Sequence, residues 1–405
     1  MDKKTKKILI ISVMALIALR LFFLFFIIPH LPHLENYKYT NYFSAMITGD
    51  DTGYYKLAEM VYKFDFKEHP WTLGFPLLIA PFIFVFGHGF FNVFLPLVIF
   101  NAVFLFCGAI FLIVWTAFLI FSASAEGGKK IFPAVFSGFL FVLFPFIFYI
   151  FRNFGPHFQS GNWNDFNFFH MNWLTAMSDP LSAFLAYLIL FLLVLSFQKE
   201  RPTFYYVLLG FLTGYAMMVR VSNITIAAAV AIILLMFSRD KLKKLFFYAV
   251  SALVGFLPQF LYNTAFFGSP IKFGYEGAYR EWVDIYGFKG PVFGIGNFIH
   301  LLFRAVHYSW LAIPAFLILG AFVLAGIFYI KKIDKKIALL LALWFFFPVL
   351  FYMLFTSGQT TMRYYMPAIM PLIILLVAAL SFISEKFKKN YLLNSFSSPK
   401  GPLNF

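Results

Sequence analysis

Two adjacent carboxylates, Asp50 and Asp51, stand out in a 405-residue chain in which only 12% of the residues are charged. Positions 54, 57, 58 and 61 that follow are apolar and lie on one helical face, so we predict a short amphipathic helix over 52–64. A carboxylate near a bilayer and aromatic side chains can act as a general base that deprotonates a hydroxyl group. An Asp before a helix is also a favoured N-cap, and the sequence leaves both interpretations open.

Two arginines could provide the complementary charge. Arg220 interrupts the long apolar run 204–237, and Arg363 is followed by Tyr364 at the start of the last apolar run. The guanidinium fork suits phosphate oxygens, and an ionisable residue among membrane helices is a candidate functional residue. The structural alternatives are snorkelling of Arg220 to the headgroups and an interfacial anchor formed by Arg363 and Tyr364.

The other polar residues support fewer kinds of chemistry. Asp179 followed by Pro180 is typical of a helix start, so an N-cap is the favoured interpretation of Asp179. The histidines lack metal-ligand spacing, and the single cysteine, Cys107, excludes an intrachain disulfide. No phosphate-binding or dinucleotide-binding glycine motif is present, so nucleotide-driven chemistry is not expected. We predict no metal site and no cofactor, while a divalent cation stays compatible with the sequence.

The composition predicts an all-α polytopic membrane protein. Hydrophobic residues make up 62% of the chain, and several apolar runs reach the length of about 20 residues that crosses a hydrocarbon core. The net charge of +15 comes mostly from short Lys and Arg clusters between these runs, as orientation in a membrane requires. The expected counter-charge is therefore the lipid headgroups, and no nucleic-acid partner is expected.

The basic clusters and apolar runs predict about ten transmembrane helices in a single domain, 1–383, with both termini cytoplasmic. The run 204–237 would be about 50 Å long as one helix, so we divide it near Arg220. The segment 74–87 is too short to cross and is predicted to be interfacial or re-entrant. The first apolar run is predicted to be an uncleaved span, and the basic tail 384–405 to be disordered. The predicted spans are 8–28, 91–121, 131–151, 180–197, 204–219, 221–237, 246–266, 306–330, 337–355 and 365–383.

This topology places the candidate residues on one side of the membrane. The loops 29–73, 152–178 and 267–300 fall on the outer, non-cytoplasmic face and carry most of the acids and arginines outside the basic clusters. A one-sided group of acids and arginines is expected of an outward-facing active site. A transporter would place charged residues near the bilayer midplane, within reach of both sides.

The order of several short motifs resembles a known family, the GT-C membrane glycosyltransferases of the protein O-mannosyltransferase and aminoarabinose-transferase superfamily. The matching residues, in chain order, are Asp50 with Tyr54 and Ala58; His69-Pro70 with Gly74-Phe75-Pro76-Leu77-Leu78; Arg152; Ser178-Asp179; Met218-Val219-Arg220; Asn263 with Phe267-Gly268-Ser269-Pro270; and Arg363-Tyr364 with Pro367 and Pro371.

The resemblance implies a polyprenyl-phosphate sugar donor and inverting transfer of the sugar to an acceptor hydroxyl, with Asp50 as the base. It also implies that Arg152, Arg220 and Arg363, with Tyr364, hold the departing phosphate without a metal. The chain has Asp-Asp where the family commonly has Asp-Glu, and Asp51 also has a tyrosine four residues later. Both Asp50 and Asp51 therefore remain candidates for the base.

The donor and acceptor entrances are predicted around 74–87 and 267–300. We expect the substrates to be shaped by Tyr54, Tyr55, His69, Asp179, Lys272, Tyr275 and Arg280. The acceptor stays open among lipid, protein and glycan, and the absence of a large soluble C-terminal domain argues against transfer of a whole glycan. In a prokaryote the location would be the plasma membrane. The alternative function is a transporter or a flippase of lipid-linked sugars without chemistry.

Overall fold

The computed structural model describes residues 2–27, 49–122, 131–154, 173, 176–274, 299, 312–355 and 362–397. Within these ranges the regular structure is helical, as predicted. The helices are α1 (Lys3–Phe22, continued by a π-helical stretch, Phe23–Ile27), α2 (Gly49–Lys63), α3 (Gly74–Phe86), α4 (Phe90–Ser122), α5 (Ile131–Phe154), α6 (Ser178–Gln198), α7 (Thr203–Val219), α8 (Ile224–Phe237), α9 (Lys241–Phe267), α10 (Ala312–Ile333), α11 (Lys335–Phe355) and α12 (Met366–Ser397).

The helices confirm an integral, multi-pass membrane protein. Helices α1 and α4 to α12 lie at the positions of the predicted spans. In the described part of the chain, 6 helices are long and apolar enough to cross a membrane: Lys3–Phe26, Phe90–Ser122, Ser178–Gln198, Lys241–Phe267, Lys335–Leu354 and Met366–Phe387. The helices on either side of Arg220 are apolar but shorter, so their crossing stays a prediction. Helix α3 is also short, and its interfacial or re-entrant placement stays a prediction.

Three differences from the predicted boundaries concern the candidate residues and the tail. Helix α2 begins at Gly49 rather than at position 52. Arg152, predicted to open a loop, lies in the last turn of α5. The backbone of α12 continues as helix to Ser397, through most of the tail predicted to be disordered. That extension contains good helix formers, and the Tyr329 hydroxyl donates a hydrogen bond of 2.7 Å to Glu385 Oε1 within it. The last residues of the tail lie outside the described ranges.

The predicted division of the run 204–237 is confirmed. Helix α7 ends at Val219, and Arg220 has extended backbone angles (φ −151°, ψ 118°). A 3₁₀ turn over Val221–Asn223 then leads into α8. The Asn223 side-chain amide stabilises this break because it donates a hydrogen bond of 2.7 Å to the Ala216 carbonyl, which also accepts from the Arg220 backbone N–H at 2.9 Å. The same asparagine is buried, so its amide is shielded from competing water.

Helices α7 and α9 pack with their backbones in contact. A Cβ atom on Gly214 would lie 2.0 Å from the Ala252 carbonyl oxygen, and one on Gly210 would lie 2.1 Å from that of Tyr248. Gly210 and Gly214 are spaced as small residues are in closely packed membrane helices. Their spacing therefore sets the distance between α9 and the helix that ends immediately before Arg220.

The start of α3 is attached to the end of α7. A Cβ atom on Gly74 would lie 2.3 Å from the backbone nitrogen of Val219. The Tyr215 hydroxyl donates to the Gly74 carbonyl (3.0 Å), and the Thr72 hydroxyl donates to the Val219 carbonyl (3.1 Å). The Leu73 backbone N–H donates to Gln259 Oε1 of α9 at 2.8 Å. Residues 72–74 are thereby held against the residues that precede Arg220.

Candidate active site

The two acids lie in the first turn of α2. Because the helix begins at Gly49, neither Asp50 nor Asp51 precedes it, which corrects the N-cap interpretation. Carboxylates in a first turn are still stabilised by the helix dipole. The two side chains differ in access: Asp51 is only 1% exposed, whereas Asp50 is intermediate between buried and exposed. Of the two, Asp50 is the acid that an incoming molecule can reach more easily.

Helix α2 contacts the bundle through the predicted apolar face. Tyr54, Leu57, Ala58 and Val61 are all buried, which confirms the stripe. The Tyr54 ring stacks on Trp71, with centroids 5.4 Å apart, and meets Phe75 edge-on at 5.3 Å. These contacts hold the first turn of α2 against the start of α3.

Tyr54 also connects the acids to α6. Its hydroxyl shares a hydrogen bond of 2.9 Å with the Ser178 hydroxyl, across 124 positions of sequence. Ser178 is the first residue of α6 and precedes Asp179. A single side chain, one turn after Asp50, therefore links the start of α2 to the start of α6.

Asp179 forms an ion pair with Arg220. The Arg220 Nη1 atom contacts Asp179 Oδ1; Asp179 is 3% exposed and the Arg220 side chain is 18% exposed. The N-cap of α6 is Met177, so Asp179 lies inside the first turn and the N-cap interpretation of Asp179 is wrong. A buried carboxylate needs a charged or hydrogen-bonding partner, and Arg220 meets that need.

Arg220 faces other helices, as the sequence predicted. Its guanidinium carbon lies 4.6 Å above the centroid of the Tyr364 ring, a cation–π contact. Tyr364 stacks on Tyr352 at 5.0 Å, and the Tyr352 hydroxyl donates a hydrogen bond to the Ser222 hydroxyl. The Arg363-Tyr364 motif and the Arg220 break are therefore adjacent in space, and α11 supplies a third wall.

Three further predicted substrate-shaping residues, Tyr55, His69 and Lys272, lie in the described part of the chain. The Tyr55 hydroxyl donates to Glu59 Oε1 (3.1 Å) and accepts from the Gly89 backbone N–H (2.7 Å), so it joins α2 to the α3–α4 turn. Lys272 is exposed in the loop after α9. Burial, and secondarily the nearby charge of Lys56, lower the pKa of His69 to about 4. His69 is therefore neutral at pH 7, and its Nδ1 accepts a hydrogen bond of 3.4 Å from the Trp71 backbone N–H.

The other predicted residues are not placed at the site by the structure. Tyr275 and Arg280 lie outside the described residues. The backbones of Arg152 and Arg363 lie in α5 and in the 3₁₀ turn Met362–Tyr365, and their side chains lie outside the described part. Among the residues that the structure describes, no group of three or more His, Cys, Asp or Glu side chains is arranged to hold a metal ion.

Two aromatic residues of the site and one buried charge elsewhere in the described helices were missed by reasoning from sequence. Trp71 and Tyr352 are single aromatic residues in an aromatic-rich chain, and no spacing distinguishes them. Arg20 was also missed: it is fully buried in α1, with its guanidinium carbon 4.0 Å from the centroid of the Phe106 ring. A charged residue inside an apolar run is a recognisable pattern, so Arg20 could have been identified.

The fold is similar to that of the oligosaccharyltransferase of Archaeoglobus fulgidus. Its apo form aligns with a TM-score of 0.55 at 15% identity, over 99% of this chain and 53% of that chain. The structure with Zn and sulfate aligns with a TM-score of 0.50 at 17% identity, over 87% of this chain and 47% of that chain. The structure tethered to an acceptor peptide containing the NVT sequon aligns with a TM-score of 0.50 at 14% identity, over 100% of this chain and 52% of that chain. No protein-family model matches the chain, and no curated protein is significantly similar.

At these identities the likeness establishes the fold and leaves the activity open. The chain has the GT-C fold, which the sequence resemblance predicted. It spans about half the length of the structures that it matches. The similarity therefore supports the membrane architecture but neither the mannosyltransferase-like subfamily nor a substrate.

Proposed function

We propose that this protein is an integral membrane glycosyltransferase that transfers a sugar from a polyprenyl-phosphate donor to an acceptor hydroxyl. The fold that it shares with an oligosaccharyltransferase supports glycosyl transfer as the reaction class. The acceptor is a lipid, a protein or a glycan. The site faces the non-cytoplasmic side of the membrane, which is the plasma membrane in a prokaryote, and both termini are cytoplasmic.

The observation that carries this proposal is the hydrogen bond between Tyr54 and Ser178. It joins the turn that holds Asp50 to the turn that holds Asp179, and Asp179 is paired with Arg220. A half-buried acid and an arginine can perform the two tasks of glycosyl transfer from a lipid phosphate. One accepts the proton of the acceptor, and the other stabilises charge on the departing phosphate.

Asp50 is the proposed base. A general base must come within hydrogen-bond reach of the hydroxyl that it deprotonates, and Asp50 is more accessible than the 1% exposed Asp51. Asp51 then has a structural role on the packed side of α2. Assignment of the base to Asp51 is the alternative within this proposal, and single variants distinguish the two.

The proposed reaction is a single inverting displacement. The Asp50 carboxylate takes the proton of the acceptor hydroxyl while the oxygen attacks the anomeric carbon of the donor. The bond from that carbon to the phosphate oxygen breaks, and its electron pair leaves with the polyprenyl phosphate. The products are the glycosylated acceptor, the lipid phosphate and a protonated Asp50, which then releases its proton to water.

Arg220 is the proposed contact for the departing phosphate. Its guanidinium contacts Asp179 and covers the Tyr364 ring, so it is held in place between helices. The fork of a guanidinium matches the geometry of two phosphate oxygens, which suits this side chain to the departing lipid phosphate. Arg152 and Arg363 are proposed to assist, and His69, Lys272, Tyr275 and Arg280 to shape the donor and acceptor entrances.

The test is sugar transfer by purified protein in liposomes, with labelled polyprenyl-phosphate sugars as donors and a chelator present. Wild type is compared with Asp50→Asn, Asp51→Asn and Arg220→Gln. Asp65→Asn is the matched control because this exposed acid lies just after α2, with its carboxylate near Lys67 (3.3 Å). The expected result is loss of transfer in Asp50→Asn and Arg220→Gln, with wild-type transfer in the control.

Two results would contradict the proposal. Full transfer by Asp50→Asn, by Asp51→Asn and by the double variant would exclude a carboxylate base on α2. Label that crosses the bilayer chemically unchanged, without release of lipid phosphate, would indicate a flippase instead.

A further inference from the structure

Helix α2 ends in a conformation that its sequence does not favour. The Asp65 backbone N–H donates to the Met60 carbonyl (3.0 Å), the long hydrogen bond of a Schellman motif. Phe64 occupies the left-handed position of that motif, with a φ of +55°. Glycine is the usual residue there, as Gly268 is at the end of α9 (φ +73°). A phenylalanine is strained at this position because its Cβ crowds the backbone.

Packing against the residues that the structure describes does not offset that strain. The Phe64 side chain is 85% exposed, so its ring gains little from contacts with the rest of the protein. A large apolar side chain held outward in an unfavourable backbone conformation indicates a contact beyond the residues that the structure describes.

A second exposed apolar residue lies in the loop that follows α9. Ile271 is 75% exposed in this loop. The loop after α2 is attached to α9, and so lies beside the loop that follows α9. The Tyr262 hydroxyl of α9 donates to the Lys67 carbonyl at 2.6 Å, and the Tyr262 and Phe66 ring centroids are 6.3 Å apart. A Cβ atom on Gly274 would lie 2.6 Å from the His69 carbonyl oxygen, so the loops also touch further along.

The position of these loops relative to the bilayer follows from α9. The helix Lys241–Phe267 is long and apolar enough to cross the membrane, so its last residues reach the headgroup region. Tyr262 lies about 7.5 Å before the end of α9, and its hydrogen bond to Lys67 holds the loop after α2 at the same depth in the membrane. Ile271 follows Phe267 by only four positions. Both loops therefore lie at the boundary between hydrocarbon and water.

We propose that Phe64 and Ile271 form a membrane-interface anchor that inserts into the headgroup layer of the bilayer beside α9. Exposed charged residues, Lys63, Lys67 and Lys272, flank the two apolar tips, which is the pattern of interfacial segments. The anchor fixes the depth of α2 and hence of the acids in its first turn. The proposal requires no particular chemistry at those acids.

The experiment uses nitroxide spin labels in reconstituted protein. The chain has one cysteine, so Cys107→Ser gives a cysteine-free background, to which Phe64→Cys or Ile271→Cys is added. Asp240→Cys is the matched control, because Asp240 is an exposed non-glycine residue with a φ of +54° at the opposite end of α9. The vesicles contain phosphatidylcholine and phosphatidylglycerol. Collision rates are measured with oxygen, which is concentrated in lipid, and with a water-soluble nickel chelate.

We expect the ratio of oxygen to nickel collisions to be several-fold higher at positions 64 and 271 than at 240. Labels at 64 and 271 that collide mainly with nickel would place the loops in water and overturn the proposal. Labels shielded from both reagents would indicate a protein partner and would also overturn it, as would a lipid contact at only one position. As a check on label tolerance, Phe64→Trp should be quenched by brominated lipids, with the wild-type tryptophan quenching subtracted.

Discussion

Gly74→Ala tests how tightly the start of α3 is packed against the residues before Arg220. The new Cβ atom would lie 2.3 Å from the Val219 nitrogen, and 2.4 Å and 2.6 Å from the Met218 carbonyl carbon and oxygen. These are backbone atoms, which cannot rotate away. An ordinary contact needs about 3.4 Å, so the two segments must separate by about 1 Å.

The expected cost combines overpacking with weakened hydrogen bonds. Insertion of a methyl group into a packed site costs about 1–3 kcal/mol. The bonds from Tyr215 to the Gly74 carbonyl and from Thr72 to the Val219 carbonyl would lengthen, and each contributes about 1 kcal/mol. We therefore expect a loss of about 3 kcal/mol of folding stability. A shift of about 1 Å next to Arg220 should also lower transfer activity by about 100-fold if Arg220 holds the phosphate.

The assay is thermal unfolding in detergent together with transfer in liposomes, and Gly320→Ala is the matched control. Gly320 lies in α10, and a Cβ atom there would meet nothing within 4 Å. In a helix, Gly→Ala without a clash should stabilise by about 0.5–1 kcal/mol. The two variants should therefore shift Tm in opposite directions. If Gly74→Ala were as stable and active as Gly320→Ala, the packing of α3 on α7 described here would be refuted.

Three further predictions concern the links around the candidate site. Asp179→Asn should lower folding stability by about 3 kcal/mol, because it leaves the partly buried Arg220 without its carboxylate. In a double-mutant cycle, adding Arg220→Gln should recover part of this loss. Additive losses would contradict the ion pair. Tyr54→Phe and Ser178→Ala should each lower folding stability by about 1 kcal/mol. The double variant should lose no more stability than either single variant, as measured by Tm. The pKa of His69 is about 4 in the folded protein and 6.5 in the reference state, so protonation of the unfolded chain should reduce stability as pH falls from 6.5 towards 4. His69→Gln should remove this part of the pH dependence, and an unchanged profile of Tm against pH would contradict a buried neutral His69.

Features that depend on neighbouring residues were predictable from the sequence. The lengths of the apolar runs predicted an all-α membrane protein, and the excessive length of 204–237 predicted the break at Arg220. The apolar stripe of α2 was predicted because helical periodicity relates residues only three or four positions apart. The start of α2 was missed by three residues, because Gly49 and the two acids do not look like helix interior.

The composition of the candidate site was decided only by the tertiary structure. Asp179 looked like an N-cap because Asp before Pro is common at helix starts, but its partner Arg220 belongs to another helix. The difference in exposure between Asp50 and Asp51 depends on what packs against α2. Tyr54 and Ser178 meet across 124 positions of sequence, and nothing near either residue encodes the other. Local patterns thus determined which segments are helices and where they break. Long-range packing determined which side chains meet, because those contacts depend on how the helices are arranged in space.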